Sequence, residues 1–156
     1  MVLYYSRGKK TKIFAEALGE IQDCNVFELE SDLNKKGMVG FIVKALSLAF
    51  SAKSYPAKMP DMTDGLPDEI FLCGPVWGGQ LVGPPRYFLE NADLKNTTVH
   101  LLLTARVPVE KYKTDALEYL NKIPCKPGRA YIFATSGKMP PEKAVVTEQL
   151  RGMINE

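Results

Sequence analysis

The stretch VLYYSRGKKTKIFAEALGEI, residues 2–21, changes its periodicity part-way along. Residues 2–5 form a compact apolar run of the kind that makes a strand, whereas from Thr11 the apolar positions Ile13, Phe14, Ala17, Leu18 and Ile21 fall at helical spacing. Between them, SRGKKT (6–11) is a basic, glycine-containing turn with a hydroxyl at each end. A strand joined to a helix by such a turn leaves backbone N–H groups pointing outward at a helix N-terminus. The helix dipole adds partial positive charge there. Ser6 and Thr11 can donate hydroxyl hydrogen bonds, and Arg7, Lys9 and Lys10 add charge. Phosphate is the natural guest; a solvated basic turn capped by Thr11 is the alternative reading.

The same alternation continues along the chain. CNVFEL (24–29) reads as a second strand, and GMVGFIVKALSLAFSA (37–52) lies in an apolar helix near 36–52. A proline- and glycine-broken loop leads to EIFLCG (69–74), a third strand, followed by the Gly/Pro loop PVWGGQLVGPP (75–85). A helix starts near Pro84–Pro85, since proline is tolerated in a first turn. TTVHLLLT (97–104) is almost wholly apolar, as expected of a fourth strand covered on both faces. A helix striped by Val109, Tyr112, Ala116, Tyr119, Leu120 and Ile123 precedes a fifth strand, AYIFAT (130–135). Val146, Leu150 and Met153 mark a closing helix.

Five strands alternating with helices imply an α/β fold: a five-stranded parallel sheet in a three-layer sandwich with right-handed crossovers. Residues 1–156 are expected to form a single domain. Ligands of such folds bind beyond the carboxyl ends of the strands, where strand order reverses. That gathers the loops 6–11, 74–83 and 104–108 around one crevice.

Composition narrows the function. An apolar share of 46%, a charged share of 24% and a net charge of +2 are those of an ordinary globular protein, with no basic arm for nucleic acid. The apolar run 37–52 is too short, and interrupted by Lys44, to cross a bilayer. A well-buried helix is expected there, with a homodimer contact or a membrane-surface role as alternatives. Three scattered cysteines, Cys24, Cys73 and Cys125, suit reduced thiols, and no secretory signal opens the chain. A cytoplasmic protein is therefore expected. His100, the only histidine, sits inside a strand and reads as structural; one histidine makes neither a metal cluster nor a triad. TSGK (135–138) reads as a surface turn rather than a ligand contact. No catalytic side chain and no metal site are expected.

Two nucleotide motifs are excluded. GKKT lacks the glycine that a P-loop needs five positions before that of its Gly-Lys pair, where Leu3 stands, and no G-x-G-x-x-G follows any strand. The pattern that remains resembles the flavodoxin family. Val2, Leu3, Tyr4, Ser6, Thr11, Ala15 and Leu18 match the family's first strand, phosphate loop and helix. IFLCGPVWGG (70–79) looks like its third strand and Pro-x-Trp-Gly loop, and PPRYFLENADLKNTTVHLLLT (84–104) is similar to the helix and strand that follow. The likeness runs over most of the chain. It implies strand order 2-1-3-4-5, FMN as cofactor, and electron transfer or flavin-dependent reduction (an oxidoreductase or electron-transport role). The partner is then a redox protein or a small-molecule electron acceptor.

Carried over by motif, the phosphate loop maps onto Ser6, Arg7, Gly8, Lys9, Lys10 and Thr11. The flavin-flanking aromatic maps onto Trp77, and the flavin-edge backbone onto Pro75, Val76, Gly78 and Gly79. Thr104, Ala105 and Arg106 would cover the other side. Two positions depart from the family pattern. Gly8 stands one place earlier than the family glycine, so a position needing φ > 0 would fall on Lys9. No aromatic immediately follows the fourth strand; the first is Tyr112, leaving Arg106 to stack on the ring or sit near its edge. The alternative function is a flavodoxin-like binding or regulatory domain that has lost FMN.

Overall fold

A computed structural model describes residues 1–135, 137 and 140–154. Strands β1 (Val2–Tyr4), β2 (Val26–Glu28), β3 (Glu69–Trp77), β4 (Gln80–Leu81), β5 (Thr98–Ala105) and β6 (Lys126–Ala134) form one sheet. Helices α1 (Lys10–Ile21), α2 (Met38–Ser51), α3 (Pro84–Asn91), α4 (Glu110–Leu120) and α5 (Lys143–Ile154) connect and close it. The sheet order is β2-β1-β3-β5-β6, every neighbour on that path parallel, while β4 turns back antiparallel on β3. Setting the short β4 aside, this is the expected order 2-1-3-4-5.

Burial on both faces follows from the apolar runs. On one face Phe14, Ala15, Ala17 and Leu18 of α1 and Val146 and Leu150 of α5 pack on Val2, Tyr4, Phe71, Cys73, Leu102 and Phe133. On the other, Phe88 and Leu89 of α3 and Ala116 and Leu120 of α4 pack on Leu3, Ile70, Leu72, Leu101 and Leu103. Consecutive residues of β3 and β5 thus serve opposite cores, which is why neither strand alternates polar with apolar.

Two expectations are corrected here. β3 does not end at Gly74 but runs through Pro75–Trp77 and folds into a hairpin, with Val76 opposite Leu81 and Trp77 opposite Gln80. Its two-residue turn, Gly78 (φ 57°) and Gly79 (φ 83°), requires positive φ at both positions, the conformation that matches strand twist. The segment read as a Gly/Pro loop is therefore largely strand and tight turn. Secondly, α2 is not well buried. Only Leu48 and Ala49 are buried, whereas Met38, Val39, Ile42, Val43, Leu46 and Phe50 are exposed. The helix lays one face on the protein, and its other face is just as apolar.

His100 has the structural role expected. Its ring stacks on Phe71 at 4.8 Å, its Nδ1 accepts the Arg129 N–H at 2.9 Å, and its Nε2 lies 2.8 Å from a Glu69 carboxylate oxygen. Burial lowers its pKa below the ordinary value, and Glu69 opposes that only in part. A histidine kept neutral in the fold binds fewer protons than its unfolded counterpart. Its stabilising contribution is present above the unfolded pKa of about 6.5 and is lost as the pH falls below it. Because the chain has one histidine, melting temperature should decline as pH drops below about 6.5, and His100→Gln should flatten that slope. Parallel pH–melting curves would check it.

Candidate functional site

A crevice of about 480 Å³ opens at the carboxyl ends of β1, β3 and β5, within the usual size range of small-molecule sites. The chain winds from β1 outward to β2 and then back to β3 on β1's other side, so the strand order reverses there. The crevice collects Ser6, Arg7, Gly8, Lys10 and Thr11 from the first loop, Pro75, Val76 and Trp77 from β3, and Thr104, Ala105 and Arg106 from the end of β5. Eleven of the fourteen expected residues meet in one place; Lys9, Gly78 and Gly79 do not line it.

Its polar lining is built around the N-terminus of α1. Thr11 and Thr104, both buried, share a hydrogen bond of 2.8 Å between their hydroxyl oxygens. One hydroxyl hydrogen is spent in that bond, and the other remains free to donate to a guest. Ser6 is buried at the loop's start, and its hydroxyl has no hydrogen-bond partner among the described residues. Lys10 donates to the carbonyls of Thr135 and Gly137, which fixes its charge beside the exit of β6. Arg7 lays its guanidinium over the Phe41 ring, 3.8 Å from the centroid, and donates to the Lys36 carbonyl at 3.2 Å.

Lys9 adopts φ 61°, the left-handed conformation that the shifted glycine implied, at the N-cap of α1. A non-glycine residue there costs about 1 kcal/mol. Lys9→Gly should therefore raise the unfolding free energy by roughly that amount, and a urea titration would show it.

The apolar lining is aromatic. Trp77 meets Phe41 edge-on at 5.3 Å and Tyr5 edge-on at 6.0 Å. Tyr5 is fully buried, donates its hydroxyl to Asn34 at 2.9 Å, and burial raises its pKa far above the ordinary range. Phe41 and Met38, both from α2, line the crevice and were missed in the sequence, where α2 is not read as part of the site. The one available signal was Phe41's place on the inward face, four residues before Ala45 and seven before Leu48. Phe41 thus extends the aromatic wall of Trp77, which it meets edge-on, while the loop after β5 adds no aromatic.

The hairpin glycines face elsewhere. A Cβ on Gly78 would stand 2.8 Å from that of Ala49, and one on Gly79 would stand 3.1 Å from the Tyr112 ring. Both border a separate cavity shared with Tyr112 and Tyr119. Tyr112 therefore does not substitute for the missing aromatic at the crevice. Thr135 lines the crevice, which departs from a plain surface turn at 135–138; Ser136 and Lys138 of that segment lie outside the described residues. Among the described residues, no carboxylate, histidine or thiol lines the crevice, so it offers hydrogen-bond donors, positive charge and aromatic surface.

The overall fold agrees with that of solved structures. A flavoprotein from Lactobacillus acidophilus, crystallised in complex with FMN, superposes with a TM-score of 0.65 at 22% identity over 84% of this chain and 90% of that one. The chain has the flavodoxin-like fold. Two further structures share it across nearly the whole length, both described as flavoproteins. One, from Bacteroides eggerthii, has a TM-score of 0.64 at 18% identity over 98% and 96% of the two chains. The other, from Bacteroides uniformis, has a TM-score of 0.63 at 19% identity over 97% and 96%. No family model matches the sequence, and no curated protein matches it significantly. The 6–11 turn joins β1 to α1, and Trp77 ends β3.

Proposed function

We propose that the crevice binds FMN and that the protein is an electron-transfer flavoprotein or a small flavin-dependent reductase. The carrying observation is one of composition within one cavity. Hydroxyl donors and a helix N-terminus, suited to a phosphate, adjoin an aromatic wall of Trp77 and Phe41, suited to a flat ring. The residues present fit that cofactor. Ser6, Thr11 and the α1 amides would hold the phosphate, and Arg7, Lys10 and Arg106 would offset its charge. Pro75, Val76, Trp77 and Phe41 would border the ring and exclude water from it.

FMN would supply the redox chemistry, accepting and releasing electrons through its ring system. The protein's part is to position and enclose; no carboxylate, histidine or thiol lines the crevice among the described residues. Cys73 is fully buried within β3, and burial pushes its thiol far above the usual range, so it serves as core. The donor and acceptor are a redox protein or a small molecule that reaches the crevice mouth beside Met38 and Arg106. Protein purified and desalted should be yellow, with a flavin absorption spectrum. A colourless protein that stays colourless after incubation with FMN and desalting would refute the proposal.

A further inference from the structure

Among the described residues, nothing covers the outward face of α2. Val39, Ile42, Val43, Leu46 and Phe50 follow one another at helical spacing and are 75%, 48%, 63%, 53% and 88% exposed; Met38, at 68%, extends the stripe. No charged residue interrupts it. A contiguous exposed apolar stripe rimmed by polar residues is the kind of surface that marks a protein or membrane interaction site. A helix apolar on every side is otherwise a buried one.

The charges around the stripe identify what covers it. Residues 33–60 contain five lysines and no aspartate or glutamate. Lys58 is paired with Glu30, and Lys44 lies over the Tyr55 ring. Lys35 and Lys36, just before α2, and Lys53, just after it, are exposed and have no carboxylate partner among the described residues. Arg7 adds charge beside Met38 at the same end. If two copies paired through this stripe, lysines would face lysines in either direction: Lys36 against Lys36 when parallel, Lys36 against Lys53 when antiparallel. An anionic surface, by contrast, is attracted at both ends of the helix and takes up the apolar stripe between them.

We infer that α2 is a membrane-docking helix, lying in the interface of a bilayer that contains anionic lipid, with its outward apolar stripe in the acyl boundary and Lys35, Lys36 and Lys53 at the headgroups. No helix among the described residues is long and apolar enough to cross a membrane, so the attachment is peripheral. This inference stands independently of what the crevice binds.

Co-sedimentation of the full chain with vesicles tests it, comparing pure phosphatidylcholine with equal parts of phosphatidylcholine and phosphatidylglycerol. Binding to the anionic vesicles should be on the order of tenfold tighter or more. The double variant Lys36→Gln/Lys53→Gln should bind them about 25-fold more weakly, near fivefold for each lysine. Val43→Ser/Phe50→Ser, which alters only exposed side chains, should abolish binding while leaving the circular dichroism spectrum unchanged. Failure to bind anionic vesicles, or equal binding to both compositions, would overturn the inference. So would a dimer in light scattering that the serine variant dissociates while the wild type ignores vesicles, since the face would then belong to a second copy.

Discussion

Gly78→Val is expected to lower the unfolding free energy by about 3 kcal/mol, from two additive sources. The left-handed φ of 57° costs a branched side chain about 1–2 kcal/mol. The new Cβ, 2.8 Å from the Ala49 Cβ, must also push α2 away from the hairpin, and overpacking of that kind costs roughly 1–3 kcal/mol. The injury reaches the crevice, because the same hairpin holds Trp77 and the same helix carries Phe41. Gly40→Ala is the control. It lies inside α2, its Cβ would meet only the Lys36 Cβ at 3.8 Å, and alanine there should stabilise the helix by up to about 1 kcal/mol. Urea unfolding of the two variants should move in opposite directions. A Gly78→Val protein as stable as the wild type would show that the hairpin and α2 do not meet as described.

The second large effect concerns the Thr11–Thr104 hydroxyl pair. Thr104→Val alone strands the Thr11 hydroxyl in a buried site, which should cost about 1–3 kcal/mol of stability. Thr11→Val/Thr104→Val replaces both partners with isosteric apolar groups and should return stability close to the wild-type value. FMN binding should not return with it. The double variant lacks the hydroxyl hydrogen that the pair leaves free. A hydrogen bond to a charged group is worth about 1.5–3 kcal/mol, so affinity should fall roughly 10- to 150-fold. Stability and affinity thus separate in one protein. Full FMN affinity in the double variant would remove Thr11 and Thr104 from the binding site.

How far the sequence revealed this depends on the range of the interactions involved. β5 was legible because a strand covered on both faces must be apolar at nearly every position, and Val99 to Leu103 show that directly. The first loop was legible because strand, turn and helix are contiguous. The Thr11–Thr104 bond was not, since it joins residues 93 apart and only the parallel register of β1, β3 and β5 brings them together. The extension of β3 was hidden by Pro75 and by two glycines, which signal a break in general but here make a two-residue hairpin. For α2, apolar periodicity could not separate the face that touches the protein from the one that does not. Both carry the same residue types, so the helix reads as core, and Phe41's part in the crevice was concealed.

The most direct test is a fluorescence titration of flavin-free protein with FMN and, in parallel, with riboflavin, which lacks the phosphate. The chain's single tryptophan, Trp77, lines the crevice and reports on it alone. FMN should quench its emission saturably, and riboflavin should bind at least roughly tenfold more weakly because the Ser6–Thr11 loop then holds nothing. Absence of any quenching or binding at saturating FMN, or equal affinity for the two flavins, would contradict this placement of FMN.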